Sequence, residues 1–386
     1  MTSFRIGVIG AGGGRGRGWA RRTKSWEMTV GSDKTELVAI ADIDELALNR
    51  AAEQFSCHAY KDYVEMLDKE NLNMVIIATP HYMHAPMTIA AAERKINVLC
   101  EKPMCINLEQ ADAMKAAVEK NKITFAVGFQ HRFNPLYVTL KKAIEAGDLG
   151  DIFQINMIYH WWRAENYFLN STRVPENKDL DWEGWKGHWL TEGGSCIFNQ
   201  HVHFLDIFQW LSPSPIKSVY ATSRVAKHTF IESDDNTNAI VEFKNGSMGL
   251  IQAGVAYQHG KEEEFDIYGT EGQIILRKNL RGVLGIPKLF DDRRKPAAKA
   301  KRSMLSYMPK KLGDLTKIMY ASVLDAIASG DTTKIAVDVD EGRKSVELAR
   351  AMLLSQTRKQ KIEFPYEDRP GEYPELIHTY EDKSLK

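Results

Sequence analysis

The chain has 386 residues, enough for two domains at about 100–200 residues each. Lysine plus arginine and aspartate plus glutamate balance at 51 each, so no excess charge draws the chain to nucleic acid or to an anionic membrane. No apolar run approaches the roughly 20 residues that span a bilayer, and residues 1–10 lack the basic, apolar and small-residue order of a secretory leader, so a cytoplasmic location is expected.

Taken in chain order, residues 5–9, 37–41, 74–78, 97–100 and 124–127 are short runs that are apolar almost throughout, as strands buried on both faces are. Between them lie stretches with apolar residues at helical spacing, such as Leu46, Leu48, Ala52 and Phe55, or Ala111, Met114, Ala117 and Val118. Strand and helix in alternation predict an α/β, doubly wound parallel sheet over residues 1–130. The pattern changes after Asn134-Pro135. A helix is predicted over 136–146, then strands over 153–159, 219–225, 239–243 and 248–253, with Asn245-Gly246 as a hairpin turn between the last two. Residues 131–386 are therefore expected as an α+β domain. A basic stretch at 287–302 reads as a solvated insertion, and helices follow near 316–329 and 340–359. The four cysteines, Cys57, Cys100, Cys105 and Cys196, form no C-x-x-C pair and are expected as free thiols with no bound metal.

The first strand runs into GAGGGRGRGWA, Gly10 to Ala20. Glycines between a strand and a helix permit a tight turn, let backbone approach a pyrophosphate, and let the helix pack close to the sheet. Gly10 and Gly12 fit the G-x-G-x-x-G spacing, but the third place is Arg15, with Gly13, Gly14 and Gly16 around it. The second long strand ends at Asp42. An acid there can accept both adenosine ribose hydroxyls and repels a 2′-phosphate, so it favours NAD over NADP. Asp42 could instead cap the following helix, a job for which Asp44 competes.

Four further segments carry a resemblance. They are ATPHYMHAPMTIAAAERKINVLCEKP from Ala78, GFQHRFNP from Gly128, GGSCIFNQHVHFLD from Gly193 and YGTEG from Tyr268. Together they resemble the Gfo/Idh/MocA family, that of glucose-fructose oxidoreductase, inositol dehydrogenase and related sugar dehydrogenases. The resemblance covers most of the chain, roughly residues 4–280, and resumes at the helix near Asp340. It implies a Rossmann domain, then a domain on a large, mostly antiparallel sheet that binds substrate and makes oligomer contacts, with the nicotinamide between the two. It implies that Lys102 lies near the substrate hydroxyl, that Glu101 contacts the nicotinamide ribose, and that the peptide before Pro103 is cis. Thr79, Pro80, His84 and Gln130 would line the cofactor. His81 stands where the family often has asparagine. His203 carries over as the acid–base histidine. Asn199 stands where the family often has aspartate, four residues before His203 and on one helical face with Asp206. An amide can hold a sugar hydroxyl but cannot share a negative charge with an imidazolium.

Oxidising an alcohol with NAD removes a hydride from carbon and a proton from oxygen, and the base must reach the hydroxyl directly or through one water. His203 is favoured as that base, with Lys102 polarising the oxygen; the opposite assignment stays open, because a cationic nicotinamide lowers a neighbouring lysine's pKa. Five of the eight tryptophans, Trp161, Trp162, Trp182, Trp185 and Trp189, cluster where a wall for sugar C–H faces is expected, with Arg163 as a hydrogen-bond donor. Core packing is the competing role for each ring. His160, Asn166 and Tyr167 carry no signal of their own. The leading function is a dehydrogenase for a ring hydroxyl, taken first as C3, of a small-molecule sugar, glycoside or cyclitol. Two alternatives remain. One is a redox-neutral NAD-dependent glycosidase or a sugar–sugar hydride shuttle with tightly held cofactor. The other is a non-catalytic NAD-binding regulator. An open sheet face implies a homo-oligomer, dimer or tetramer.

Overall fold

A computed structural model describes residues 3–26, 28–178, 183–258, 262–278 and 313–376. Trp182 and the basic stretch 287–302 lie outside the described residues. The chain forms two compact units, one of Met1–Phe133 with Gly313–Val346 and the other of Asn134–Leu312 with Glu347–Lys386. The first division falls at residue 133, beside the expected 130, and the difference lies further along the chain. Residues 313–346 return to the first unit, because the helix Leu315–Ser329 places Met319, Tyr320, Val323 and Leu324 in its apolar core beside Trp19. Such long-range contacts leave no local pattern in sequence.

The first unit holds a sheet in the order Thr29–Val30, Asp33–Ala41, Ser3–Ile9, Met74–Ile77, Asn97–Cys100, Phe125–Val127, with His58–Tyr60 also paired to Asp33–Ala41. All pairs are parallel except Thr29–Val30. Leaving that short strand aside, the order is the doubly wound 3-2-1-4-5-6. The central strands are buried on both faces, as their apolar composition requires. Side-chain caps start the crossover helices: Asp44 before Glu45–Phe55, Asp62 before Tyr63–Lys69 and Asn107 before Leu108–Asn121 each accept a backbone N–H of the first turn.

The second unit is built on seven strands in the order Gln273–Lys278, Glu262–Gly269, Ile152–His160, Met248–Gly254, Asn236–Phe243, Ile216–Arg224, Ile362–Glu363. Only Ile152–His160 with Met248–Gly254 is parallel. Asn245-Gly246 turns the predicted hairpin, with Gly246 at φ 88° and the Asn245 side chain accepting from Ser247 N–H. Residues alternate along each strand, so Val219, Ala221, Ala239, Val241, Ile251 and Met157 point into the core, while Tyr220, Ile240 and Met248 are exposed.

The C-terminal segment is fastened to this unit by Arg350, whose guanidinium is fully buried. It pairs with Asp368 at 2.9 Å, donates to the Arg369 and Glu372 carbonyls, and lies 4.9 Å from the Tyr373 ring centroid. Tyr373 stacks on Trp189 with centroids 5.2 Å apart. Arg350→Met leaves the buried Asp368 carboxylate without its cation, which is expected to cost about 3–5 kcal/mol in urea unfolding. A loss below about 1 kcal/mol would show that the clamp does not hold the segment.

Candidate active site

In the first unit, chain order reverses at the carboxyl ends of Ser3–Ile9 and Met74–Ile77, the place where open α/β sheets bind ligands. Gly10 turns the chain there at φ 85°, and its N–H donates to the Ala41 carbonyl at 2.8 Å. A Cβ on Gly16 would lie 2.0 Å from the Gly10 carbonyl oxygen. Gly16 is therefore the close-packing glycine that the usual spacing would place at residue 15, and the bend is one residue longer than the pattern. Gly13, Gly14 and Arg15 are exposed, and a Cβ on Gly13 or Gly14 would meet nothing within 4 Å. This bare backbone, leading into the helix Gly14–Trp26, offers N–H groups and the positive end of a helix to an anion.

Asp42 is held by this loop. Its Oδ2 accepts from Gly12 N–H at 2.7 Å and its Oδ1 from Asp44 N–H at 2.9 Å. Asp44 caps the next helix, so Asp42 is spared that role.

Glu101 ends the strand Asn97–Cys100 as a buried carboxylate. Its Oε1 accepts from Trp19 Nε1 at 2.7 Å and pairs with Arg15 Nε at 3.0 Å. No motif links Trp19 to this site; the indole lies one helical turn past Arg15 and faces the same carboxylate. Lys102 is half-buried, and its peptide bond to Pro103 is cis. His84 is fully buried, with Nδ1 2.7 Å from the Pro103 carbonyl and Nε2 3.0 Å from the Thr79 carbonyl. Burial pushes its pKa down, while the two carbonyls act the other way. The ring thus ties the Thr79-Pro80 turn to the Lys102-Pro103 peptide and has no exposed face of its own. Gln130 is half-buried at the start of the turn Gln130–Phe133.

In the second unit, the segment expected as one helical face is two structures. Ser195–Gln200 is π-helical, and the α-helix begins at Val202. Widened turns of this kind are frequent at functional sites and carry no sequence period that would announce them. Asn199 lies in the π turn, and His203 and Asp206 are buried in the α-helix. Asn199 Nδ2 donates to Glu192 Oε1 at 2.5 Å and to the Tyr167 hydroxyl at 2.9 Å. Glu192, fully buried, also accepts from Gly187 N–H at 2.6 Å and from the Ser195 hydroxyl. Burial pushes its carboxyl up, against these donors. Gln200 accepts from Arg163 Nε at 2.8 Å and donates to the Tyr167 hydroxyl. Tyr167 is thus a hub that its sequence context did not mark.

Arg163 is held from behind. Its carbonyl accepts from His228 Nε2 at 2.6 Å, and His228 Nδ1 meets buried Asp235 at 3.0 Å. Burial works to raise the Asp235 carboxyl. The His228 ring and the N–H groups of Ala226, Lys227 and His228 outweigh it and hold the carboxyl below its ordinary value. The tryptophans divide. Trp189 is buried against Tyr373, and Trp161 packs edge-on to Phe204 while donating to Glu263, so both are packing residues. Trp162, 5.5 Å from the His228 ring, and Trp185, with Lys186 Nζ 5.7 Å from its ring centroid, are half-exposed. Among the described residues no group of three or more His, Cys, Asp or Glu side chains could hold a metal ion, and no helix is long and apolar enough to cross a membrane.

Residues 4–129 match the family model described as "Oxidoreductase family, NAD-binding Rossmann fold", and residues 137–275 match the "GFO/IDH/MocA C-terminal domain". The uncharacterized oxidoreductase YrbE of Bacillus subtilis is 25% identical over 241 residues, 61% of this chain and 65% of that protein, so just under two thirds of its length is spanned. The myo-inositol 2-dehydrogenase of Thermotoga maritima is 26% identical over 275 residues, 70% of this chain and 74% of that protein. The WlbA dehydrogenase of Bordetella pertussis, solved with NADH and UDP-GlcNAcA, shares the fold with a TM-score of 0.78 at 24% identity, over 95% of this chain and 100% of that one.

The acidic cluster behind Asn199 predicts a pH signature. Burial, with Asp235 and Glu192 nearby, pushes Asp234 up to about 7 from an ordinary value of 3.8. A raised acid favours the folded state below its unfolded pKa, and that stability is lost as pH rises through the folded value. Asp234→Asn removes the ionisation. Its stability relative to wild type should therefore rise between pH 4 and pH 7 and then level off, as read from urea midpoints. A difference that stays flat across this range would show that Asp234 ionises normally.

Proposed function

Because the chain belongs to the Gfo/Idh/MocA family of oxidoreductases, we propose that it moves a hydride between NAD and a ring hydroxyl of a sugar, glycoside or cyclitol. The observation that carries this reading is the glycine bend whose Gly12 N–H holds the Asp42 carboxylate at the end of the second long strand. The bare loop Gly10–Gly16 suits a dinucleotide: Gly10, Gly12, Gly13, Gly14 and Arg15 would hold the pyrophosphate. Asp42 would take the adenosine ribose hydroxyls and disfavour a 2′-phosphate, which makes NAD the cofactor over NADP. Thr79, Pro80 and Gln130 would line the nicotinamide half, and Glu101 would meet its ribose. His84 serves by fixing the Thr79 and Pro103 carbonyls. NAD, when bound, supplies the hydride acceptor.

The chain's own residues then handle the proton and the oxygen. Lys102 Nζ would donate to the carbinol oxygen, stabilising it as its proton leaves. The His203 ring would take that proton. Asn199 would orient a substrate hydroxyl. It carries no charge, but the buried Glu192 carboxylate stands directly behind its amide, which keeps an acid in this region of the helix pair. The first carbon to test is C3 of a pyranoside. A second copy of the chain would cover the exposed face with Tyr220, Ile240 and Met248, which has the uncharged Asn238, Thr222 and Gln252 on one side and the ion-paired Glu242 opposite Met248.

Purified protein with NAD and a panel of glycosides, free sugars and inositols should form NADH steadily with one substrate class. Lys102→Ala and His203→Ala should each lower kcat/KM by about 10²–10⁴-fold, the scale of lost acid–base catalysis. No NADH from any member, with NAD retained on the protein as isolated, would instead favour a redox-neutral enzyme or a sugar–sugar shuttle.

A further inference from the structure

Two cations in the second unit are placed as a ligand site would place them, and neither forms a close ion pair with a described carboxylate. Lys186 Nζ lies 3.6 Å from the centroid of the Tyr167 ring and donates to the Tyr167 carbonyl at 3.1 Å. Arg163 Cζ lies 5.4 Å from the same ring and 5.1 Å from the Trp161 ring. Arg163 spends Nε on Gln200 Oε1 and Nη1 on the Trp162 carbonyl, both neutral acceptors. Among the described residues no carboxylate comes within ion-pair distance of either side chain, although elsewhere in this unit arginines such as Arg350 and Arg358 meet an acid. The nearby carboxylate, Glu192, attracts Lys186 from beyond ion-pair distance and already accepts from Gly187, Ser195 and Asn199.

The support behind Arg163 is costly for a residue with only a surface role. The buried Asp235–His228 pair grips its carbonyl, and Gln200 fixes its side chain. Residues locked from behind in this way are typical of ligand-binding positions. The Tyr167 hydroxyl adds to the pattern. Gln200 is oriented by Arg163, and Asn199 by Glu192, so both present their amide N–H groups to the phenol oxygen. With two donors on its oxygen, the phenol keeps its own proton to donate. Arg163, Lys186 and Tyr167 are all partly exposed, so each retains surface that a ligand can touch.

We propose that Arg163, Lys186 and the Tyr167 hydroxyl bind an anionic substituent of the substrate, a carboxylate such as a uronic acid carries, and so make the enzyme selective for acidic over neutral sugars. This rests on the dehydrogenase reading above and narrows its substrate class. Lysine supplies the point charge and arginine the directed donors, while the aromatic rings between them exclude water and strengthen both.

The test measures binding directly. Calorimetric titration of the full chain with saturating NADH compares methyl β-D-glucuronide with methyl β-D-glucoside, which differ only at the C6 carboxylate. The glucuronide should bind at least about tenfold more tightly, equivalent to about 1.4 kcal/mol. That preference should survive Lys186→Arg, and it should fall severalfold in Lys186→Met and Arg163→Gln, while raised salt weakens the glucuronide alone. Equal affinities, a preference for the glucoside, no measurable binding of either, or a preference untouched by both charge-removing variants would overturn the proposal. Failure of the dehydrogenase reading is seen separately: in that case NADH itself does not bind, or bound neutral sugars and inositols are never oxidised.

Discussion

The first unit depends on one close approach. The first helix can start beside the end of the central strand only because nothing larger than hydrogen stands between Gly16 and the Gly10 carbonyl. That contact fixes where the helix N-terminus points and leaves Gly13 and Gly14 with open backbone. It also brings Gly12 to Asp42, so one carboxylate at the end of a neighbouring strand is oriented by the loop it stands beside. Arg15 and Trp19, on the helix that this bend launches, then both reach Glu101. The loop, the Asp42 carboxylate and the E-K-P segment are thus linked by direct contacts among residues 10–102.

The second unit uses a different device. Its polar centre is a set of buried groups that satisfy one another: Glu192 with Ser195 and Asn199, Asp235 with His228, and Gln200 with Arg163. Each buried carboxylate would be costly alone, and each has several donors. The π turn over Ser195–Gln200 is what lets Asn199 and Gln200 both address Tyr167. The C-terminal segment contributes at a distance, since Arg350 and Tyr373 seat Trp189 at the start of the short helix that ends in Glu192.

Much of this was legible in the sequence, for physical reasons. Strands such as Met74–Ile77 are buried on both faces and so announce themselves as unbroken apolar runs. The Asn245-Gly246 turn is legible because few residues tolerate positive φ. Other elements were not legible. Glu262–Gly269 opens with three glutamates and pairs as a strand all the same, because its sheet neighbours supply the register. The sequence showed Arg15 in the third glycine's place but not that Gly16 takes over its close packing, since the usual spacing assumes a shorter bend. The site residues followed the same rule. Lys102 and His203 came from motifs, whereas Tyr167, Lys186 and Glu192 matter through contacts between segments far apart in sequence, which spacing cannot reveal.

Every role proposed for this chain depends on the Gly10–Gly16 bend and Asp42 binding NAD(H) in particular. Equilibrium titration with NADH and with NADPH, followed by quenching of tryptophan fluorescence, tests it most directly. NADH should bind saturably and at least about tenfold more tightly than NADPH, because Asp42 would repel the 2′-phosphate. NADPH binding as tightly as NADH, or no saturable binding of either, would contradict it.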